Sequence, residues 1–187
     1  AKEEEMKVVE IGIEGVAPLL MHRFATDRTE RGKGPRNPNY EAPEMVKKEL
    51  RDALYVNGDG KTLAQPSEML EAALVKAAKE FKFEGKKTYK DPVRAGVFVE
   101  PYEVLHKHQK WEDFPKRVVI QGRSIIRHRP MLKEWALDFQ CCVTDERINL
   151  EDLRSMWDYA GAYKGLGDWR PKFGRFKVVA WKVKEGK

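Results

Sequence analysis

The stretch from Trp135 to Ala160, WALDFQCCVTDERINLEDLRSMWDYA, contains the two hydrophobic periods that decide the fold. In its first part, apolar residues alternate with Asp138 and Gln140, which is typical of a half-buried strand. In its second part, apolar residues recur at the spacing of one helix face: Leu150, Leu153, Trp157 and Ala160. The stretch therefore predicts a core strand followed by an amphipathic helix.

Both helices predicted for the core have a start signal. Asn149 is a preferred N-cap residue, and we expect Asp152 at the third position to return the hydrogen bond, as in a capping box. Pro66-Ser67 marks the start of the other helix. The apolar residues of that helix share one face: Leu70, Ala73, Leu74, Ala77 and Phe81.

Three more segments are predicted as strands. They are residues 9–13, the segment Val93–Val99, and the closing segment from Phe176 to Val183. In the second of these, Phe98 falls on the face opposite the valines. The resulting order is strand, helix, strand, strand, helix, strand. This order predicts an α+β fold with a ferredoxin-like βαββαβ core.

A chain of 187 residues suits a single domain, residues 1–187, with two additions to that core. The first is an insertion at about 25–64, after the first strand. It begins with the aperiodic segment Ala25–Tyr40, for which we expect a long mobile loop, and continues with a short helix over Pro43–Tyr55. The second is a basic hairpin at about 116–130, before the third strand. By contrast, Pro101–Pro115 has no regular period, and we expect it to be irregular.

The composition indicates a soluble protein of the cytoplasm. No apolar run approaches the ~20 residues that a membrane span needs. The acidic N-terminus lacks the apolar segment of a secretory signal. Cys141 and Cys142 are adjacent and point to opposite faces of a strand, so we expect no disulfide and a reducing compartment.

Positive charge is concentrated in two segments of a chain whose net charge is +6. Between Phe114 and Lys133 there is no acid, and there are six cations: Lys116, Arg117, Arg123, Arg127, Arg129 and Lys133. Between Gly161 and Lys177, Asp168 is the one acid among five cations: Lys164, Arg170, Lys172, Arg175 and Lys177. Segregated cations of this kind predict a phosphate-binding surface, with a solvated hairpin as the alternative.

The segment after the last predicted helix contains Gly161, Gly165 and Gly167. A helix C-cap needs one glycine, so a simple turn is one interpretation of the segment. The other is a phosphate-binding loop, because glycine lets a ligand approach the backbone closely. Trp169 and Phe173 would then offer stacking surfaces to bases.

Candidates for catalysis and for metal binding are few. His22 lies where the first strand opens into the long loop, where it is suited to act as a general base, and Asp27 follows in that loop. His106 and His108 are spaced to share a strand face, but no carboxylate or cysteine completes a site with them. We therefore expect no metal and no cofactor.

The layout of this chain resembles the RAMP superfamily, the RNA-binding proteins of CRISPR systems, and most of all their repeating backbone subunit. The segment GLGDWRPKFGRF (165–176) is similar to the glycine-rich loop of that family, and IEGVAPLLMH (13–22) and RPMLKEW (129–135) look like segments of phage-encoded proteins with the same layout. The resemblance implies a subunit that polymerises head to tail along a single strand, holds its backbone, and splays its bases with a hairpin. The chain is shorter than such subunits, and Asp168–Pro171 interrupts the glycine run, so a phage-encoded relative outside CRISPR, such as one acting on phage single-stranded DNA, is the alternative to a CRISPR subunit.

The sequence therefore predicts a non-catalytic protein that binds single-stranded nucleic acid, RNA in preference to DNA, and that assembles into filaments without contacting a membrane. One alternative is a small metal-independent ribonuclease using His22, and the other is a phage assembly protein with an acidic partner. The residues predicted to contact nucleic acid are His22, Arg23, Arg123, Arg127, Arg129, Lys164, Gly165, Gly167, Trp169, Arg170, Lys172, Phe173 and Arg175.

Overall fold

Antiparallel strands and short helices make up the computed structural model, which describes residues 6–24, 39 and 41–184. The predicted loop Ala25–Tyr40, apart from Asn39, lies outside the described residues. The elements are, in chain order, β1 (Lys7–Gly15), β2 (Leu19–Leu20), α1 (Pro43–Ala53), β3 (Ala64–Pro66), α2 (Ser67–Ala78), α3 (Lys90–Gly96), β4 (Val97–Glu100), β5 (Glu103–Leu105), β6 (Glu112–Ile120), β7 (Arg123–Leu132), β8 (Ala136–Val143), α4 (Leu150–Tyr159), a π-helical turn (Ala160–Lys164) and β9 (Phe176–Lys184). The predicted α+β class is confirmed.

The main sheet has the strand order β4-β8-β1-β9, and each neighbouring pair is antiparallel. Ile11 of β1 lies opposite Phe139 of β8, and both side chains are buried. The rings of Phe139 and Trp157 pack with their centroids 5.2 Å apart, which joins the sheet to α4. Cys141 and Cys142 are both free, as predicted.

The two long core helices begin where the sequence predicts. α2 starts at Ser67 and buries Leu70 and Leu74 against the sheet. Asn149 caps α4 by accepting hydrogen bonds from the backbone N–H groups of Glu151 and Asp152 at 2.8 and 3.1 Å. The expected return bond from Asp152 is not found, because its carboxylate instead accepts the hydroxyl of Tyr89 at 2.6 Å.

The prediction of a strand over Val93–Val99 is wrong in its first half. Residues Lys90–Gly96 form α3, and the strand β4 begins only at Val97. Asp91-Pro92 provides a helix start, because proline is compatible with the first turn and Asp91 pairs with Arg94 at 3.2 Å. Apolar residues that alternate at a spacing of two include pairs that are four apart, and residues four apart also share one face of a helix. Val93 and Val97 are such a pair, and both are buried.

The segment Pro101–Pro115 is more regular than expected. β5 pairs with β3, and β6 already begins at Glu112. His106 is buried while His108 is exposed, so the two side chains lie in different environments.

The predicted basic hairpin is present and is longer than expected, because β6 and β7 pair from Glu112 to Met131 as part of a second sheet, β2-β7-β6. Gln121 and Gly122 form its turn with φ of 49° and 76°, the conformation that a two-residue hairpin turn prefers. None of the helices in the described part of the chain has the length and apolar character needed to span a membrane.

Candidate functional site

The base of the β6–β7 hairpin lies against the segment Gly165–Arg175, here called the glycine loop. An aromatic cluster joins them: the ring centroid of Phe114 lies 6.1 Å from that of Trp169 and 5.4 Å from that of Phe173. The Nζ of Lys116 lies 4.1 Å from the centroid of the Trp169 ring, at cation–π distance. Trp169 is therefore partly enclosed by the protein itself and fixes the glycine loop to the hairpin.

The glycines of the loop permit close contacts within the chain. A Cβ added at Gly167 would meet the carbonyl oxygen of Leu20, and one at Gly174 would meet that of Leu166. Gly165 and Gly167 have φ of 68° and 74°, which favours glycine at both positions. The glycine content thus has an internal explanation, and contact of Gly165 and Gly167 with a bound strand stays a prediction.

The prediction for Arg129 needs correction, because its side chain is only 11% exposed. Its Nε lies 3.0 Å from Asp168 of the glycine loop, and its Nη1 lies 3.3 Å from Glu49 of α1. Glu49 also pairs with Arg127 at 3.4 Å. These cations therefore hold the hairpin, α1 and the glycine loop together, and Arg129 is a structural residue rather than an open phosphate contact.

His22 lies at the edge of this ion-pair cluster. Its Nδ1 is 3.6 Å from Asp168 Oδ2, and its side chain is 47% exposed. Burial, followed by the positive charge of Arg129, lowers the pKa of His22 below its usual value of 6.5, so the imidazole is neutral at pH 7. Arg23 is exposed and donates from Nε to the backbone carbonyl of Asp52 at 3.2 Å. Asp27, the other candidate for catalysis, lies outside the described residues.

Other cations of the two basic segments remain open to solvent. Among the described residues, no carboxylate lies within ion-pair distance of these exposed side chains: Lys116, Arg117, Arg123, Arg170, Lys172 and Arg175. Lys164, in contrast, pairs with Glu80 at 3.3 Å, and Lys133 pairs with Glu112 at 2.8 Å. The open cations define two patches, one toward the hairpin tip and one on the glycine loop.

Sequence reasoning selected Arg127 and Arg129 as site residues and omitted Lys116 and Arg117, which are the more exposed pair. The side-chain alternation along β6 and β7 does not indicate which cations meet acids, since Glu49 comes from a helix distant in the chain. It also missed Lys76 of α2. The pKa of Lys76 is lowered most by the positive charge of Arg170, which indicates that the two cations are close.

Within the described residues, the histidines are not grouped with other potential metal ligands. Across residues 6–24, 39 and 41–184, no three His, Cys, Asp or Glu side chains are grouped to hold an ion. His106 is 4% exposed and lies edge-on to Trp135, with ring centroids 6.4 Å apart. Burial lowers its pKa to about 4, so it is a neutral core residue.

Comparison with known proteins supports the fold. The sequence matches no family model and no curated protein. The structure is similar to a chain of a solved complex described as "Cryo-EM structure of the Type III-B Cmr-beta bound to cognate target RNA", with a TM-score of 0.64 and 10% sequence identity. The similarity covers 97% of this chain and 61% of the other, so this chain spans less than two thirds of the protein it resembles. At this level of identity the likeness shows a shared fold.

Proposed function

We propose that this protein binds single-stranded nucleic acid along the surface formed by the hairpin and the glycine loop, and that it does not cleave what it binds. The observation that carries the proposal is the separation of the cations. Arg127 and Arg129 are neutralised by carboxylates, whereas Arg123 and Arg170 are exposed among cations that have no such partner within the described residues. A polyanion would relieve the repulsion between these open cations and release its own counterions.

The hairpin also supplies an apolar surface for bases. Val119, one residue from the end of β6, is 71% exposed beside the basic side chains of the tip. Apolar side chains inserted between bases unstack them, as wedge residues of DNA-binding proteins do. In this proposal the arginines hold phosphates and Val119 separates bases. The partly enclosed Trp169 offers at most one face of its ring for stacking.

The core that carries this surface is proposed to be ferredoxin-like. The support is the main sheet order β4-β8-β1-β9, together with the chain order β1, α2, β4, β8, α4 and β9. The remaining helices and strands are additions to this core, and the hairpin emerges between β4 and β8.

We propose RNA as the preferred strand and a CRISPR effector complex as the setting. The support is the fold shared with a chain of a complex that is described as bound to cognate target RNA. Assembly is proposed to be head to tail, since apolar residues such as Phe98 (45% exposed) remain open to contact with another copy. Light scattering at tens of micromolar, with and without RNA, tests this, and a strictly monomeric protein in both conditions contradicts it.

The experiment for the binding proposal is a salt titration of fluorescence anisotropy with labelled single-stranded RNA and DNA. R170A/R175A is compared with R154A/K182A, which removes the same charge from exposed positions on α4 and β9. The proposal expects log K to fall with log salt by roughly 0.7 per phosphate contact, and the slope of R170A/R175A to flatten by about one unit or more. Equal slopes for wild type and both variants would show that the glycine loop is only a turn.

A second candidate function is metal-independent RNA cleavage with His22 as general base. The observation that favours it is the neutral, half-exposed imidazole held 3.6 Å from Asp168. Incubation with end-labelled RNA in the presence of chelator tests it. Cleavage that H22A abolishes, and that a 2′-deoxy strand resists, would establish the enzyme, whereas retention of intact RNA supports the binding protein.

A further inference from the structure

A ridge of cations lies on helix α2, outside the two basic segments of the sequence. Lys76 is on the last turn of α2, and Lys79 follows as its C-cap residue. Both line the same groove beside α3, together with Lys90 and Arg94. Two carboxylates, Glu68 and Glu71, line this groove against the four cations, and Arg94 pairs with Asp91 at 3.2 Å. The ridge is therefore predominantly positive.

The glycine loop and the π-helical turn before it also approach this ridge. The charged neighbours that shift the pKa of Lys76 are all cations: Arg170 of the loop first, then Lys79 and Lys164, with burial acting in the same direction. Lys164, on the π-helical turn, contacts the end of α2 through its 3.3 Å pair with Glu80. Cations from three separate segments of the chain are thus collected around one point of the surface.

The loop also connects this ridge to the hairpin. Trp169 lies beneath the Nζ of Lys116, and the next residue along the chain, Arg170, is the loop residue that acts on Lys76. Exposed cations therefore continue from the hairpin, across the glycine loop, to the end of α2. A flexible polyanion that contacts the first two regions meets the third next, where the carboxylate of Glu80 is paired with Lys164.

We propose that Lys76 and Lys79 are phosphate contacts, and that a bound single strand runs from the hairpin across the glycine loop onto the C-terminal end of α2. This inference rests on the proposed function and adds a direction and a third contact region to it. Helix-surface lysines of this kind hold phosphates without reading bases, so they should strengthen binding to every sequence alike.

The experiment compares K76Q/K79Q with K182Q/K184Q, which removes the same charge from exposed lysines of β9. The probe is a labelled uridine oligomer of about 20 nucleotides, longer than the roughly 4–16 that one binding module covers. Loss of two phosphate contacts should flatten the salt slope by about 1.4 units, so the disadvantage of K76Q/K79Q relative to wild type shrinks roughly sevenfold between about 50 and about 200 mM salt. Thermal melting of each variant shows that it is folded.

A second readout does not depend on affinity. The same oligomer with 4-thiouridine is crosslinked to the wild-type protein, and the modified peptides are identified by mass spectrometry. The proposal expects crosslinks in the peptide that contains the end of α2, besides those in the hairpin and loop.

The outcomes separate this inference from the function on which it rests. If wild type binds and R170A/R175A weakens it, while K76Q/K79Q behaves as K182Q/K184Q does and no crosslink reaches α2, the path onto α2 is overturned alone. If wild type binds no strand, the proposed function and this inference both fall.

Discussion

The tip and the base of the β6–β7 hairpin carry the same kind of residue in opposite environments. At the tip, Arg117 and Arg123 are exposed, and no carboxylate among the described residues pairs with them. At the base, Arg129 is 11% exposed and held by Asp168 and Glu49. The difference teaches that a run of cations in a sequence stays open to a polyanion only where the fold brings no acids to it.

The largest effect expected from this comparison is on stability at the base. R129A should lower the free energy of unfolding by about 3 kcal/mol, because it leaves Asp168 partly buried without its arginine and Glu49 with Arg127 alone. Urea unfolding measures this loss. R123A serves as the matched arginine variant at the tip and should change the free energy by no more than about 0.5 kcal/mol. Equal losses of unfolding free energy in R129A and R123A would contradict the proposed difference between tip and base.

Lowering the pH tests the stability of the fold separately from the charge of the tip. It should lower the free energy of unfolding through a buried group, while the arginines of the tip keep their charge. Burial lowers the pKa of His106 to about 4. A group whose folded pKa lies below its unfolded value of about 6.5 binds more protons when unfolded, so stability falls as pH decreases through the window from about 6.5 to about 4. The contribution is on the order of 2 kcal/mol lost at about pH 5.

The check for His106 is a series of urea unfolding curves between neutral pH and about pH 4. H106F should lose this part of the pH dependence, whereas H108A, which alters an exposed histidine, should keep it. A wild-type stability that is flat over this window would contradict the assignment of His106 as a buried neutral group.

Helices and strands were predicted correctly where one hydrophobic period continued over many residues. The faces of α2 and α4 and the alternation of β8 were long and uninterrupted, and these elements were found. The α3 helix was missed because Val93, Val97 and the residues between them satisfy a strand period and a helix period alike.

The site was predicted less well, since its ion pairs join residues far apart in sequence. Arg129 lies 80 residues from Glu49 and 39 from Asp168, and no local pattern announces either partner. Three of the six cations between Phe114 and Lys133 are paired with carboxylates. Lys76 lies near the cations of the glycine loop, although the sequence of its helix shows only an ordinary polar face.

Trp169 is a test of the junction between the two regions. Its ring contacts Phe114 and Phe173 and lies under Lys116, so W169A should cost about 1–3 kcal/mol of unfolding free energy through lost aromatic packing. Paired thermal unfolding and RNA titrations distinguish packing from stacking. A variant of unchanged stability whose affinity falls by on the order of 1–3 kcal/mol, at an unchanged salt slope, would instead show that the ring stacks on a base.

The smallest expected effect on stability belongs to the tip itself. R117A/R123A removes two exposed cations that have no carboxylate partner in the described part of the chain, so the free energy of unfolding should change by no more than about 0.5 kcal/mol. The same variant should flatten the salt slope for single-stranded RNA by about 1.4 units, since each phosphate contact contributes roughly 0.7. Unfolding curves and anisotropy titrations on one preparation measure both quantities. Both quantities are needed to assign a role to these arginines. Removing an arginine that only binds phosphate lowers the affinity and leaves the stability unchanged, whereas removing one that stabilises the fold lowers the stability. If R117A/R123A binds RNA as wild type does over the whole salt range, the tip is a solvated hairpin and binding must depend on the glycine loop and α2 alone.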